Sequence, residues 1–244
     1  LTRATLKGAA SRAALDVALY DQQGCLSPHA FYVERGGEEG PAAFAAALGG
    51  ALEELHGTMP RATPGNQAAA RIQLYRAQAQ FDEATGTRGT RVLGASEGTD
   101  WTVVYEEGAR FEPSPAYRTV RVHSVTGVEE VVATIGPVAR YIEAVGLLAR
   151  GTRGVSLASA LAATGVARIA ALGSLQTPSP ADTHGGVYRL LPFLRWTTVE
   201  AGACAGAAAR AGAARAGMRR AKPSASRSSK RGSRRSERGK SRSH

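Results

Sequence analysis

Helical and strand patterns alternate along the first 200 residues of this 244-residue chain, and few folds accommodate such an alternation. Helices are indicated where apolar side chains recur every three or four positions, and strands where short apolar runs lie between turn residues. The predicted helices cover residues 11–23, 41–56, 67–84, 128–139 and 156–163. The predicted strands cover residues 28–34, 90–94, 101–106, 119–125, 141–148, 167–172 and 195–200. This order of elements predicts an α/β fold with a mostly parallel sheet.

The formal net charge of +11 is confined to the C-terminal end of the sequence. Residues 201–244 contain 13 Lys and Arg and one acidic residue, whereas residues 1–200 contain 18 basic and 19 acidic residues. Residues 201–221 are rich in Ala, Gly and Arg, and residues 223–244 are rich in Ser, Arg and Lys. Because such a segment buries too little apolar surface to offset the entropy of ordering, we predict a disordered basic tail.

Two interpretations of this tail stay open. A dense run of Lys and Arg is typical of an arm that binds nucleic acid or an acidic partner. The same composition also occurs in solvated extensions that bind nothing. The tail has no aromatic side chain on which a base could stack, and this weakens the nucleic-acid interpretation.

Composition excludes several other classes of protein. Two cysteines, Cys25 and Cys204, cannot form a disulfide framework or a four-cysteine zinc site, and the histidines show no metal-ligand spacing. The sequence has no run of about 18 apolar residues, so no transmembrane helix is predicted. It also shows no charged-then-apolar leader, and we therefore expect a cytoplasmic protein. Because the chain starts at Leu1 rather than at Met, we expect it to be a fragment of a longer product.

The sequence DQQGCLSPH, from Asp21 to His29, contains the candidate nucleophile. Cys25 lies at a predicted helix-to-strand junction and follows Gly24, whose missing side chain allows a ligand to approach the backbone. Free amides at such a bend can stabilise an oxyanion, and a cysteine thiolate can form a thioester. A lone cysteine is more often structural, so the residue type alone leaves both interpretations open.

The segment DVALYDQQGCLSPHAFYVE, residues 16–34, resembles the nucleophile segment of the long-chain acyl-CoA reductases of the LuxC type. These enzymes belong to the aldehyde dehydrogenase superfamily. Further similar segments follow in the family's order, so that the resemblance extends over about residues 10–200. They are residues 100–104, 111–115, 118–120, 141–147, 172–178 and 194–196 with Glu200.

The resemblance implies a domain organisation and a reaction. Residues 25–200 would form an aldehyde-dehydrogenase-like catalytic domain, preceded in residues 1–24 by the end of a largely missing nucleotide-binding part. Cys25 would attack a fatty acyl-CoA, and NADPH would reduce the acyl-cysteine thioester to a fatty aldehyde. The backbone N–H of Cys25 is the implied oxyanion donor. Glu112 lies where the superfamily holds the cofactor ribose.

The implied partners are a fatty acyl-CoA substrate and either a second copy of the chain or an acyl-donating protein. The sequence also departs from the family. Only 24 residues precede Cys25, and no glycine-rich phosphate loop follows a strand there. Residues 182–186, DTHGG, lack the Trp of the family's turn. A non-catalytic remnant of the family is therefore one alternative, and a nucleic-acid-binding protein that acts through the tail is another.

Other polar residues near these segments allow two interpretations each. His29 follows Cys25 by four positions, so a Cys–His pair and a structural histidine both fit the sequence. Glu112 fits a ribose ligand or a solvated side chain. Adjacent acidic residues such as Glu106 and Glu107 point apart along a strand, which predicts solvated faces and not acid–base dyads.

The nucleic-acid alternative makes a direct prediction about the tail. Binding to a DNA duplex is expected to weaken steeply as salt is raised and to disappear when residues 201–244 are deleted. Fluorescence anisotropy of a labelled duplex at increasing NaCl concentration measures both properties. Binding that survives the deletion, or no binding by the full chain, removes this alternative.

Overall fold

A four-stranded sheet with the order β1-β4-β3-β2 lies within the compact unit of residues 1–193. The computed structural model describes residues 1–95, 97–200 and Ala203. The strands of this sheet are β1 Ala30–Glu34, β2 Arg91–Gly94, β3 Thr102–Glu107 and β4 Thr119–Val125. β1 and β3 both run parallel to the central strand β4, and β2 pairs antiparallel with β3 at one edge. The predicted α/β fold with a mostly parallel sheet is confirmed.

The described residues form five α-helices: α1 Arg3–Ala18, α2 Pro41–Thr58, α3 Asn66–Ala84, α4 Val128–Ile135 and α5 Gly151–Ala162. Two further strand pairs follow the main sheet: β5 Val145–Leu147 with β6 Ile169–Ala171, and β7 Thr183–His184 with β8 Val187–Tyr188. Short 3-10 helices cover Leu19–Gln22, Thr87–Gly89, Gly136–Tyr141 and Leu191–Phe193.

The central strand β4 is buried along its whole length, and its sequence TVRVHSV determines both faces of the sheet. Val120 and Val122 lie on the face covered by α2 and belong to the hydrophobic core. Arg121 and His123 lie on the opposite face, because successive side chains of a strand alternate. Neighbouring strands on both sides fix the register, in which Phe31 of β1 pairs with Val122.

Small residues allow close packing in the core around α1 and α2. The helices contribute Ala9, Ala13, Ala14, Val17, Phe44, Leu48 and Leu52. Gly49 faces Trp101, and a Cβ at this position would lie 3.0 Å from two ring carbons of the indole. The indole Nε1–H of Trp101 donates a hydrogen bond to Glu53 Oε2 at 2.5 Å. The glycine therefore allows the largest side chain of the core to lie directly against α2.

The opposite face of the sheet carries a buried polar layer, which comprises Glu106, Arg121 and His123. Arg121 forms an ion pair with Glu106, and its guanidinium lies 4.7 Å from the centre of the Tyr75 ring on α3. Tyr32 stacks on His123 with the ring centres 5.3 Å apart. The predicted solvated face at Glu106 is wrong, because the neighbouring strand places Arg121 beside this carboxylate and the pair is buried.

Several element boundaries differ from the sequence prediction; α1 ends at Ala18 and not at residue 23, and α5 begins at Gly151 and not at residue 156. α1 begins at Arg3 and not at residue 11, because its many alanines favour a helix even without an apolar stripe. The helix predicted over residues 128–139 ends at Ile135, and a 3-10 helix that contains Pro137 follows it. The strand predicted over residues 141–148 is shortened to Val145–Leu147.

The strand predicted over residues 195–200 is wrong. These residues have no regular structure and their side chains are exposed. No strand among the described residues pairs with them, and an extended segment without a neighbour forms no ladder of hydrogen bonds. The predicted basic tail and Cys204 lie outside the described residues, of which only Ala203 follows residue 200.

Within the described part of the chain, no helix combines the length and the apolar character that crossing a membrane requires.

His123 makes the stability of the protein dependent on pH. Burial lowers the pKa of His123 from 6.5 to about 4, and its Nδ1 lies 3.2 Å from the Gly108 carbonyl oxygen. Between these pH values the unfolded chain binds a proton that the folded chain does not bind, so stability decreases as the pH falls through this window. The expected contribution of His123 is up to about 1.4 kcal/mol per pH unit.

Urea denaturation between about pH 4 and pH 7 measures this contribution. The variant His123→Gln is expected to flatten the pH dependence. The same change at the half-exposed His184 controls for the loss of an imidazole. An unchanged slope in His123→Gln would contradict the assignment.

Candidate active site at the Cys25 turn

Cys25 occupies a tight turn between the 3-10 helix Leu19–Gln22 and β1. The backbone N–H of Ser27 donates to the Gly24 carbonyl oxygen at 3.0 Å, and this bond closes the turn around Cys25 and Leu26. The Cys25 side chain is exposed and its thiol is free. Among the described residues, the backbone N–H groups of Cys25 and Leu26 form no hydrogen bond. The turn therefore carries a free thiol and two unpaired backbone donors at the predicted helix-to-strand junction.

The backbone just before this turn lies in the left-handed region at three consecutive residues. Tyr20, Asp21 and Gln22 have φ angles of 56°, 49° and 62°. For residues other than glycine this conformation costs on the order of 1 kcal/mol or more each. Residues 116–118, immediately before β4, form a second run with φ angles of 66°, 55° and 61°. The two runs are in contact, since the backbone N–H of Tyr117 donates to the Asp21 carbonyl oxygen at 2.9 Å.

Gln22 connects the turn to the central strand. Its Oε1 accepts the backbone N–H of Thr119 at 2.8 Å. Its Nε2 donates to the Thr119 carbonyl oxygen at 2.9 Å and to the Pro28 carbonyl oxygen at 2.7 Å. Only 2% of Gln22 is exposed. One amide side chain thus binds both backbone groups of the first residue of β4, much as a neighbouring strand would.

Asp21 forms a buried ion pair with Arg118. The carboxylate Oδ1 accepts from Arg118 Nε at 3.0 Å and from Arg118 Nη2 at 2.8 Å. Its Oδ2 accepts the backbone N–H of Ala62 at 3.0 Å. Arg118 is 1% exposed, and its Nη1 donates to the Met59 carbonyl oxygen at 2.8 Å. These contacts join the two left-handed runs to the loop that follows α2.

The loop after β6 covers the other side of the turn. Gln176 Nε2 donates to the Ser27 hydroxyl at 2.8 Å. This loop is attached to α1 by Asp16, whose carboxylate accepts the backbone N–H groups of Gly173 at 2.6 Å and Leu175 at 3.1 Å. Burial raises the pKa of Asp16, and these two N–H groups oppose that rise. Gly173 has φ +90°, and a Cβ there would meet the Arg12 side chain at 2.8 Å.

His29 does not pair with Cys25. Its Nδ1 accepts the backbone N–H of Ser114 at 3.1 Å, and burial lowers the pKa of His29. The Ser114 hydroxyl in turn donates to the Thr119 carbonyl oxygen. His29 therefore supports the loop before β4, as the structural interpretation of this residue predicts.

Glu112 lies in the same loop, and ion pairs hold its carboxylate. Its Oε2 lies 2.6 Å from Arg110 Nη2 and 3.0 Å from Arg121 Nη2. The side chain of Glu112 is 46% exposed, so it forms the outer edge of the buried polar layer. No contact among the described residues connects Glu112 directly to Cys25.

The contacts that hold the turn could not be found from residue patterns. Asp21 and Arg118 are separated by 97 positions, as are Gln22 and Thr119. No local spacing relates residues so far apart. The available signal is the resemblance itself, since residues 16–34, 118–120 and 172–178 all belong to segments that resemble the family.

The loop after β1 does not form a dinucleotide phosphate site. Residues 35–40, between β1 and α2, form the connection that most resembles a glycine-rich phosphate loop. Glu38 and Glu39 outweigh Arg35 and give this loop a formal net charge of −1. The Glu38 carboxylate accepts the backbone N–H of Arg3 at 3.4 Å. The backbone of Leu1 also fills the space beside Gly37, where a Cβ would lie 2.6 Å from its nitrogen. A pyrophosphate therefore does not fit here.

Among the described residues, no group of three or more His, Cys, Asp or Glu side chains is arranged to hold a metal ion.

Comparison with solved structures shows the fold. An NAD-dependent aldehyde dehydrogenase from Burkholderia multivorans superposes with a TM-score of 0.56 and 19% sequence identity. The match covers 74% of this chain and 35% of that enzyme, so the chain spans about a third of the enzyme's length. The predicted aldehyde-dehydrogenase-like fold is confirmed.

Comparison of sequences shows the family. None of the curated proteins matches this chain significantly. The family model for acyl-CoA reductase (LuxC) matches residues 2–196, which include the Cys25 turn and the whole sheet. The chain therefore belongs to the acyl-CoA reductase (LuxC) family.

Proposed function

We propose that this chain carries the acyl-accepting cysteine of a fatty acyl-CoA reductase, and that Cys25 is that cysteine. The observation that carries the proposal is the Cys25 turn, in which a free, exposed thiol lies beside two unpaired backbone N–H groups. Acyl transfer to a thiol needs a nucleophile and donors for the developing oxyanion. The membership of the chain in an acyl-CoA reductase family supports the same reaction.

In the proposed first step, the Cys25 thiolate attacks the thioester carbonyl carbon of a fatty acyl-CoA. A carbon–sulfur bond forms, and the N–H groups of Cys25 and Leu26 stabilise the oxyanion. The bond to the CoA sulfur then breaks, and the CoA thiolate takes a proton from solvent. The acyl group remains on Cys25 as a thioester.

The second half of the proposed reaction reduces this thioester to a fatty aldehyde, with NADPH as the hydride donor. Glu112 is our proposed contact to the cofactor ribose, because its half-exposed carboxylate has about four acceptor positions and Arg110 and Arg121 use only part of them. The loop of residues 35–40 does not supply the pyrophosphate contact, so the proposal leaves this contact to other residues.

The proposal includes a fatty acyl-CoA as substrate and a cytoplasmic location. It also includes either a second copy of the chain or an acyl-donating protein as partner. Light scattering after size-exclusion chromatography distinguishes a homo-oligomer from a monomer, and a monomer would favour the acyl-donating protein as partner.

A non-catalytic remnant of the family is the second candidate. The closed, acidic loop of residues 35–40 favours it, because this loop excludes a phosphate group from the start of α2. The two candidates differ in whether Cys25 accepts an acyl group.

Acylation of Cys25 is the first test. Incubation with a long-chain acyl-CoA is expected to add one acyl group to the wild-type chain, and hydroxylamine is expected to remove it because the bond is a thioester. Cys25→Ala is expected to carry no adduct, whereas the matched variant Cys204→Ala is expected to behave as wild type. Intact-mass spectrometry measures all three. An adduct that persists in Cys25→Ala would refute the assignment, and a folded wild-type chain without adduct would favour the remnant.

The role of Glu112 is tested separately. Glu112→Gln is expected to weaken NADPH binding by about 3- to 10-fold, because the charged acceptor of a ribose hydroxyl is lost, a change of roughly 1 kcal/mol. Cofactor fluorescence measures the dissociation constant, and the exposed Glu129 changed to Gln is the control. Unchanged affinity in Glu112→Gln, or no NADPH binding by the wild-type chain, would contradict this role.

A further inference from the structure

We propose that Asp21, Gln22 and Arg118 are positioning residues for Cys25. Together with Thr119 they form a clamp, by which we mean the ion pair of Asp21 with Arg118 and the hydrogen bonds of Gln22 with Thr119. The clamp holds the Cys25 turn in the geometry that acyl transfer requires. This inference rests on the proposed role of Cys25 as the acyl acceptor.

The first argument is the strained backbone that leads into the turn. The three left-handed residues at positions 20–22 are followed within three positions by Cys25. Left-handed conformations at residues other than glycine persist only where the surroundings enforce them, and they are concentrated at functional sites. Relaxation of this run would redirect the chain that enters the turn and would move the thiol and the two backbone donors.

The second argument is that the clamp contacts are made by the strained residues themselves and so hold them in the left-handed conformation. Two of the three strained side chains, those of Asp21 and Gln22, make the clamp contacts, and both point to the start of β4. The third strained residue, Tyr20, is 70% exposed and makes no such contact. The strain is therefore opposed at two residues by buried polar bonds of good length.

The third argument is the rigidity of the anchor. Thr119 is fully buried and pairs with Thr102 of β3 on its other side. Arg118 is held by the Met59 carbonyl oxygen as well as by Asp21. The clamp thus attaches the turn to the central strand, which is the least mobile part of such a sheet.

The clamp acts on the reaction through geometry, because none of its side chains touches the thiol. Oxyanion donors are effective only when they lie at hydrogen-bond distance from the developing charge, and the loss of one donor costs about 100- to 1,000-fold in rate. Displacement of a reacting group by about 1 Å costs up to about 100-fold. Loosening the clamp is therefore expected to slow acyl transfer to Cys25 without removing the thiol from solvent.

The test compares two reactions of the same thiol. p-Nitrophenyl acetate acylates a thiol through an oxyanion, whereas iodoacetamide alkylates it by displacement at a saturated carbon with no oxyanion. Both rates are measured by intact mass in a Cys204→Ser background, so that Cys25 is the only thiol, and hydroxylamine distinguishes its acetyl thioester from acetylated amines. The variants are Gln22→Ala and Gln22→Glu. Glutamate keeps the acceptor for the Thr119 N–H and loses the bonds that the Gln22 amide donates to the Thr119 and Pro28 carbonyl oxygens and to the Ser114 hydroxyl. The control is the neighbouring Gln23→Ala, because Gln23 is exposed.

We expect both Gln22 variants to lose about 10- to 100-fold in acetylation rate and less than about 3-fold in alkylation rate. Gln23→Ala is expected to retain both rates. If Gln22 acts in folding alone, its variants are expected to keep both rates in the folded fraction. Circular dichroism and the melting temperature determine that fraction. Equal acetylation rates in wild type and in both variants overturn the proposal, as does a parallel loss of both rates.

Failure of the clamp and failure of the proposed function give different results. If p-nitrophenyl acetate acylates Cys25 of the wild-type chain but a fatty acyl-CoA does not, the proposed substrate is contradicted. The comparison of the Gln22 variants then still decides whether Gln22 positions the turn. A wild-type chain that iodoacetamide modifies but p-nitrophenyl acetate does not acylate overturns the clamp. If the Gln22 variants do not fold, Asp21→Asn supplies the comparison, because it keeps the size of the side chain and removes the charge of the ion pair with Arg118.

Discussion

The contact between Gln22 and the first residue of β4 is the constraint on which both the sheet and the candidate site depend. β1 pairs with β4 only from Ala30, which lies opposite Arg121. Before Arg121, at the start of β4, the amide of Gln22 replaces β1 as the neighbour and binds both backbone groups of Thr119. One side chain thus satisfies the start of the central strand and at the same time holds the residues that lead to Cys25. The Ala116 carbonyl oxygen and the Ser114 hydroxyl also bind Thr119, so Gln22 shares this strand end with the loop before β4.

The buried polar layer connects stability with the proposed cofactor contact. A buried ion pair such as Glu106 with Arg121 gains little net free energy, because desolvation offsets most of the attraction. Glu112 lies at the rim of this layer and shares Arg121 with Glu106. In the proposed function, a ribose hydroxyl would use the acceptor positions of Glu112 that Arg110 and Arg121 leave open. The carboxylate proposed to bind the cofactor would then also hold Arg121 of the buried layer.

Local patterns predicted the elements of the fold but not the contacts between them. Short apolar runs between turn residues were sufficient for β3 and β4, and helical spacing together with Pro41 was sufficient for α2. The strand predicted over residues 195–200 failed, because its apolar residues have no neighbouring strand among those described. The turn that carries Cys25 was predictable from Gly24 and its position between a helix and a strand. The clamp was not, because nothing local indicates that Asp21 meets a residue 97 positions away.

The thiol of Cys25 lies before β1, and an acidic loop follows β1. This arrangement limits where the proposed reaction can bind its cofactor. Dinucleotide sites in open α/β sheets form at the carboxyl ends of parallel strands, where a helix begins. After β1 that position carries Glu38 and Glu39, and Pro41 at the start of α2 removes one of the backbone donors that an anion needs. Cys25 lies before β1, at the amino ends of β1 and β4. In the proposed reaction, the loop after β1 therefore does not bind the cofactor phosphates, and Cys25 lies at the opposite end of β1 from that loop.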